Sequence, residues 1–556
     1  MRQKLPRIFL YCLGAILLLN LVQSYFTELI FDEAYYWHYA QNMAWGYFDH
    51  PPMVALLVKL SSFFFSGELG VRFMSCLMSV GLFLAVWACI DGEKKKEFVP
   101  HFFVLGLSMT LLNAYGFLTL PDTPLLFFTA VFLWVYKKFI SQPTLVKAVL
   151  LGIVMSCLMY SKYHAVLVIL FVLASNLKLL RNGYAWLAVL VALACYTPHF
   201  VWLYENDFVA IKYHLFERPN RAYEFGDFTL GYFINLIALF GLIFPLVYYA
   251  LFKTKFSNTF TRALLFLTYG VLLFFFISSF NRRVQTQWII VICIPVFIVV
   301  FNYMLTHAKL QKWIYRIGLI NLVLLCYARV WLVYQPLLPI TYESHGNTTW
   351  VKAITDQIGD TPVVFENSYR NAPMYSFYSG TPAYSLNNLH YRQNQYSIDR
   401  SETAVQHQKV LYVSKYAKTG DISYSTAKGN ARFGSYIANF ESFRKLQCHI
   451  EEEEIQLDPE KDILLKVYNP YAENIDLKKL NFGVAYTNAY KEVKEVARIT
   501  AVKGQKDMLF LKAKDTTTFT IRLPETTLKE LGYFKIGISE NNLYYGINGR
   551  TIKVIQ

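Results

Sequence analysis

The residues of this 556-residue chain that could do chemistry lie in short polar stretches between long apolar ones. The first stretch, FDEAYYWHYAQNMAWGYFDHPPM, runs from Phe31 to Met53. It opens on the acid pair Asp32 and Glu33 and closes on Asp49, His50 and two prolines. A second, NAYGFLTLPDTPLLFF, sets Asp122 just after Pro121 and two residues before Pro124. Later stretches carry bases: Lys162, Tyr163 and His164 in SKYHAV, then Lys212, His214, Arg218 and Arg221, then Arg282 and Arg283 in FNRRVQTQW. A carboxylate within hydrogen-bond reach of a hydroxyl can remove its proton. A guanidinium or ammonium group stabilises charge that grows on a departing phosphate. Carboxylates facing cations across one cavity would suit transfer of a group from a phosphate-linked donor to a hydroxyl.

What positions these stretches is a membrane. The chain is 55% hydrophobic and 17% aromatic with only 16% charged residues, and its mean hydropathy is +0.31. A soluble protein would carry about a quarter charged residues. About eleven apolar runs are long enough to approach a bilayer of roughly 30 Å, with ten to thirteen compatible with the pattern. They lie near 8–30, 69–90, 99–118, 122–140, 145–161, 164–181, 184–204, 229–252, 262–280, 285–306 and 313–334. Lys and Arg crowd alternate loops, among them Lys94 to Lys96, Lys137 with Lys138, and Lys253 with Lys255. By the positive-inside tendency those loops and the N-terminus are cytoplasmic, and the acid pair and the C-terminal tail lie on the other face. The net charge of +15 therefore reads as topology, and no nucleic-acid partner is expected. Seven of the eight cysteines precede residue 330, which leaves Cys448 alone in the tail and no disulfide framework there.

The expected organisation has three parts. Residues 1–336 form a polytopic α-helical membrane domain whose first outer loop is 31–68. Residues 337–450, with buried-strand candidates VVFE and KVLYV, read as a small α/β domain. Residues 451–556 alternate with period two in ILLKVYNP, LNFGVAYTNAY, TTFTIRLP, YFKIGI and NLYYGING, as in a β-sandwich.

On this frame the chemistry that fits is transfer of a sugar from a polyprenyl-phosphate donor, whose tail stays in the bilayer, to an acceptor hydroxyl. Asp32 is the candidate general base. Arg282, Arg283 and Lys162, and Arg72 just inside a span, are candidate ligands of the leaving phosphate. His50 could donate to that phosphate or ligate a metal, although a single His-acid pair does not make a metal site. Each residue also has a structural reading. Asp32 could N-cap a helix that begins at Glu33. Asp122 could start a helix with Pro124 in its first turn, and Arg282 and Arg283 could snorkel at a span end. The aromatic residues Tyr35, Tyr36, Trp37, Tyr39 and Trp45 could anchor at the interface or stack on sugar. A secondary transporter or lipid-linked sugar flippase is the competing class. Transporters place ionisable groups mid-span and often have two related halves, whereas the acids here sit at span ends and the halves differ. No phosphate-cradling Gly loop or dinucleotide fingerprint occurs.

The first-loop motif, followed by Arg72 and by LPDTPLLFF, resembles the GT-C glycosyltransferase superfamily. Within it the likeness is to the dolichyl-phosphate-mannose protein mannosyltransferases and their bacterial relatives, among them the lipid A aminoarabinose transferase. It spans roughly the first 340 residues, and its acid pair, aromatic helix and aromatic-acid-His-Pro-Pro ending occur together and in order. AYSLNNLHYRQNQYS resembles the soluble part of bacterial members. The resemblance implies Asp32 as catalytic base, Glu33 as the neighbouring acid and Asp122 as the second-loop acid. The loops converging on one outer face are expected to build a substrate cavity including Tyr35, Tyr36, Tyr163 and His164, with a lipid, protein or glycan acceptor and no required cofactor, a divalent cation having no support in the sequence. The resemblance also implies a bacterial inner-membrane location with a periplasmic tail. The aminoarabinose branch has lysine where this chain has His50.

Overall fold

The computed structural model describes residues 5–218, 220–500, 502–503 and 509–555. It forms two compact units, Met1–Asp207 with Tyr223–His345, and Phe208–Ala222 with Gly346–Gln556. The stretch Phe208–Ala222, which the sequence places among the loops of the membrane region, thus belongs to the second unit. The division downstream falls after His345.

The first unit is helical. Among the described residues eight helices are long and apolar enough to cross a bilayer: Arg7–Phe26, Gly67–Cys89, Asp122–Ser141, Gly183–Glu205, Gly226–Lys253, Thr259–Ser278, Thr286–Met304 and Ala308–Val333. Each coincides with one of the apolar runs. The remaining three runs of the expected eleven give shorter pieces: Leu145–Ser161, Ala165–Ala174, and Val99–Leu107 followed by Thr110–Ala114.

Broken helices among apolar neighbours need their freed backbone groups satisfied by other means. One residue serves two breaks. Asn321, buried on Ala308–Val333, donates from Nδ2 to the Ser108 carbonyl at 2.7 Å, where the 99–118 run breaks. Its Oδ1 accepts the Leu242 N–H at 3.2 Å, where Gly226–Lys253 is interrupted. Gly241 at that interruption has φ +57°, and a Cβ there would stand 2.7 Å from Asn321 Oδ1, so only glycine fits.

Helices Asp122–Ser141 and Leu145–Ser161 form an antiparallel hairpin closed by residues 142–144. The hairpin brings the N-terminus of one helix beside the C-terminus of the other. The first polar stretch folds into the helix Phe31–Gln41, which buries Glu33, Tyr35, Tyr36 and Tyr39. The helix Met53–Ser62 follows it.

In the second unit, β1 (Val363–Glu366), β2 (Ala383–Leu386), β3 (Val410–Ser414), β4 (Ile422–Ser425) and β5 (Ala431–Ile437) form a mixed sheet of order β2-β1-β3-β5-β4. β1 is parallel to β2 and β3, and β5 runs antiparallel to β3 and β4. Helices Asn347–Ile358 and Asn371–Ser379 complete an α/β arrangement.

Two further sheets follow. The first contains β6 (Gln447–His449), β8 (Ile463–Tyr468), β12 (Val502–Lys503) and β14 (Thr516–Ile521), in the order β12-β14-β8-β6. The second contains β7 (Glu454–Gln456), β10 (Leu480–Thr487), β11 (Val493–Arg498), β15 (Tyr533–Glu540) and β16 (Ile552–Ile555), in the order β11-β10-β15-β16-β7. Alternate residues of both, such as Leu465, Val467, Phe519 and Ile521 from one and Phe482, Val484, Phe534 and Ile536 from the other, share one core. That is the period-two burial of a sandwich. NLYYGING, expected as a strand, is irregular. Its Gly546 and Gly549 amides bond singly to Ile538 and Ile536 of β15, and a Cβ on Gly546 would strike Arg444.

Candidate active site

Adjacent residues of a helix project about 100° apart, so the acid pair divides at the first turn of Phe31–Gln41. Glu33 turns inward and is fully buried, while Asp32 stays half-buried. The helix starts at Phe31, two residues earlier than a cap at Asp32 would require. Capping falls to Glu33, whose Oε2 accepts the Ile30 N–H at 3.2 Å. Glu33 Oε1 also accepts the Thr119 N–H at 2.9 Å, which ties the first loop to the segment leading to Asp122.

Arg72 faces Glu33 from the helix Gly67–Cys89. Its Nε donates to Oε1 at 2.8 Å and its Nη2 to Oε2, and both side chains are 0% exposed. Its Nη1 donates to the carbonyls of Ser24 and Thr27, and Nη2 also to that of Glu28 at 3.1 Å. A guanidinium has five N–H donors, and here each has a protein acceptor. Arg72 therefore clamps the end of Arg7–Phe26 to the first loop. Binding a phosphate, the role expected from sequence, would require it to release one of these bonds.

Asp122 and Lys162 meet at the open end of the helical hairpin, with Nζ 2.7 Å from Oδ1 and both residues buried. An acid in a first helical turn and a cation at a C-cap are each favoured by the helix dipole. Among the described residues Lys162 donates to Asp122 alone, so two of its three ammonium hydrogens remain available. Tyr115 lies within electrostatic reach of both Asp32 and Asp122.

The far end of the first polar stretch converges on the same hairpin. Tyr39 Oη donates to Asp49 Oδ1. Burial first, and then the charge of Asp49, hold the Tyr39 phenol well above its ordinary value, so it serves as a donor. Tyr163 also senses Asp49, its phenol raised by burial and then by that charge. His199 of Gly183–Glu205 is buried between Trp45 and Tyr163. Its Nδ1 donates to the Trp45 carbonyl at 2.6 Å, and its Nε2 accepts from Tyr163 Oη at 3.1 Å. A carbonyl can only accept, so these partners fix one neutral tautomer.

Several expected residues stand elsewhere. Tyr35 and Tyr36 are buried, 1% and 6% exposed, in a cluster with Tyr39, whose ring stacks on Tyr47 at 4.2 Å. They build the motif's core, because the inward face of a short helix must be filled. His50 is half-buried with its ring edge-on to Tyr36 at 5.5 Å. His164 packs on Phe275 and Trp288, at 5.6 and 5.8 Å. These two aromatics flank the turn that carries the half-buried Arg282 and exposed Arg283. No group of three or more His, Cys, Asp or Glu able to hold a metal ion occurs among the described residues.

Sequence reasoning misses His199, which sits in an apolar run whose only irregular signal is Pro198. It also misses Arg329 on Ala308–Val333. That buried guanidinium has no acid partner among the described residues. It donates from Nε to Asn113 Oδ1 at 2.8 Å and from Nη2 to Asn20 Oδ1 at 3.0 Å and the Asn113 carbonyl at 2.8 Å.

The helical arrangement and the appended sheets define a multi-pass membrane protein of the GT-C fold. Crystal structures of ArnT from Cupriavidus metallidurans share it. The apo form aligns with a TM-score of 0.52 at 13% identity over 73% of this chain and 93% of that one. The form bound to undecaprenyl phosphate gives 0.52 at 14% identity over 73% and 92%. The Archaeoglobus fulgidus oligosaccharyltransferase tethered to an acceptor peptide aligns over 98% of both chains, with a TM-score of 0.37 and 10% identity. Residues 49–202, which hold Asp49, Asp122, Lys162, Tyr163 and His199, match the family model of dolichyl-phosphate-mannose-protein mannosyltransferase. No curated protein matches the sequence.

Proposed function

We propose that this protein is a membrane glycosyltransferase that moves a sugar from a polyprenyl-phosphate donor to an acceptor hydroxyl at one face of the membrane. The observation that carries the reading is the division of labour in the acid pair. Glu33 is buried against Arg72 while Asp32, next to it on the helix which that clamp anchors, stays half-buried, within electrostatic reach of the same Tyr115 as Asp122. A carboxylate held in place yet reachable is what deprotonating an acceptor hydroxyl demands.

In this mechanism Asp32 takes the acceptor proton as the oxygen attacks the anomeric carbon. The bond from that carbon to the phosphate oxygen breaks, and the polyprenyl phosphate leaves with the bonding electrons. Lys162 offers its remaining ammonium hydrogens to the phosphate while Asp122 orients it, and Arg282 and Arg283 supply further positive charge. His50 is assigned to the donor side. Glu33 and Arg72 act as positioning residues. Chain cations meet the leaving charge, so the reading asks for no cofactor. The structure of ArnT with undecaprenyl phosphate supports a lipid-phosphate donor by likeness of fold. A lipid, a protein or a glycan would serve as acceptor. The Lys and Arg pattern supports a cytoplasmic N-terminus, with the site and the second unit on the opposite face, in a bacterial inner membrane the periplasm.

The test is transfer from a polyprenyl-phosphate sugar by reconstituted protein, wild type beside Asp32→Asn, with folding checked by gel filtration. Loss of about 100-fold or more in a well-folded variant is expected for a general base. A folded variant with near wild-type transfer would move the base elsewhere. Wild-type protein that flips the donor across vesicles without transferring sugar would overturn the enzyme reading.

A further inference from the structure

The mixed sheet of the second unit has a switch point between β1 and β3. From the carboxyl end of β1 the chain passes through the helix Asn371–Ser379 to β2 on one side, and from the carboxyl end of β3 it passes to β4 on the other. In open α/β sheets, ligands bind in the crevice outside the strand ends at such a point. The ends are polar here. Glu366 closes β1, the otherwise apolar VVFE, and Ser414 closes β3.

Glu366 is 5% exposed and makes no ion pair among the described residues. Its carboxylate lies across the switch point. Oε2 accepts from Ser414 Oγ, and Oε1 accepts from Asn388 Nδ2, just beyond β2, at 2.8 Å. The same carboxylate acts on the Tyr412 phenol of β3. Asn367 follows Glu366 and is laced to Asn388 in both directions. Its Nδ2 donates to Asn388 Oδ1 at 2.9 Å, and its Oδ1 accepts the Asn388 N–H at 2.9 Å. Burying a carboxylate without a cation is costly unless hydrogen bonds compensate it. The sheet's core does not call for one, since Val363, Val364 and Phe365 already fill β1. The network instead fixes donors and acceptors at the strand ends.

Around it the surface is aromatic. Tyr416 is 56% exposed, and its N–H donates to Ser414 Oγ at 3.1 Å. Lys415 Nζ, 4.9 Å from the Tyr416 ring centroid, can cover only one of its faces. Tyr544, in the segment after β15, is 55% exposed and lies edge-on to the exposed His390 at 6.3 Å. The His390 N–H donates to Asn388 Oδ1 at 3.0 Å. The Tyr544 segment is fastened there by the Leu389 N–H, which donates to the Tyr545 carbonyl at 2.8 Å, and by Arg444 Nη2, which donates to the Tyr544 carbonyl at 2.8 Å. Tyr544 also acts on Tyr412, whose phenol burial and then the Glu366 charge hold above its ordinary value, so it keeps its proton. Adjacent strands lie roughly 4.8 Å apart, so the ends of β2, β1 and β3 together span about 10 Å.

Aromatic faces suit the C–H face of a pyranose, and phenol, imidazole and amide groups suit its hydroxyls. Glu366 and Lys415 carry opposite charges, so the surface suits a neutral sugar. We propose that the carboxyl ends of β1, β2 and β3 form a binding site for a neutral glycan whose sugar residues stack on Tyr416 and Tyr544, with Tyr412 and His390 meeting its hydroxyls. The site does not rest on the transfer reaction proposed above.

The experiment is calorimetry on the full chain in nanodiscs free of sugar-based detergent, which would compete. The probes are maltotriose, mannotriose, laminaritriose and the acidic digalacturonate. Saturable binding of at least one neutral trisaccharide is expected, with digalacturonate weaker. Tyr416→Ala and Tyr544→Ala should each weaken that binding about ten-fold. Leu464→Ala, at an exposed position of β8, should leave it unchanged. Both tyrosines are exposed and lie on separate elements, so their replacement spares the core, and melting temperature checks the fold of each variant. Absence of binding by all three neutral trisaccharides would overturn the proposal. So would equal or tighter binding of digalacturonate, or an affinity unchanged in either folded tyrosine variant.

Discussion

The Arg72 guanidinium meets the Glu33 carboxylate edge-on, with Nε 2.8 Å from Oε1 and Nη2 on Oε2, and solvent reaches neither side chain. Removing one member of such a pair strands the other charge in the interior, which typically costs about 3–5 kcal/mol. Glu33→Gln and Arg72→Met should each lower the thermal unfolding temperature of the detergent-solubilised protein sharply. The double variant should recover most of the loss. Unchanged melting of Glu33→Gln with abolished transfer would instead make Glu33 a catalytic group.

The Asp122–Lys162 pair separates structure from chemistry in a different way. Lys162→Met leaves a buried carboxylate uncompensated and should destabilise the protein. Adding Asp122→Asn removes that charge and should restore melting. If the ammonium meets the leaving phosphate, sugar transfer stays down by about 100-fold even in the restored double variant. Full recovery of transfer would reduce the pair to a helix tie.

In the second unit Glu402 is buried and accepts from Ser442 Oγ at 2.5 Å and Tyr471 Oη at 2.8 Å. Burial dominates over these bonds and raises its carboxyl above the ordinary 4.5. An acid raised on folding binds its proton more tightly in the folded chain. Its contribution to stability is fully present below 4.5 and is lost as pH rises from there through the raised folded value. Glu402→Gln should flatten the decline of melting temperature with pH across that window. A slope identical to wild type would show that another group governs it.

The sequence makes much of this molecule legible. Apolar runs mark every long helix, because a segment in hydrocarbon must satisfy its own backbone. Period-two alternation marks β8, β10, β14 and β15 for the equally local reason that a sandwich strand buries alternate residues. What stays hidden depends on partners far along the chain. The break at Ser108 relies on Asn321, more than two hundred residues away. Nothing in FFVLGLSMTLLNAYG announces it.

The candidate site divides in the same manner. Asp32, Glu33, Asp122 and Lys162 stand out as charges at the ends of apolar runs. That Glu33 would turn inward to Arg72 follows from helix phase, which depends on a start at Phe31 that no residue type signals. That Lys162 would find Asp122 follows from the short turn between two helices and could be anticipated from it. His199 and Arg329 lie within apolar runs, where a polar residue carries no sign of its partner.

The chain passes between its two units three times, at 207–208, 222–223 and 345–346, because Phe208–Ala222 leaves the helical unit and returns to it. The C-terminal region is therefore not a detachable module. A fusion or truncation designed around one junction after His345 would carry away the sheets and leave behind Tyr213 and Phe216, which they bind. Exchange of this region between related chains would have to move two segments at once, so the loop between the helices ending at Glu205 and starting at Gly226 and the C-terminal region are expected to be inherited together.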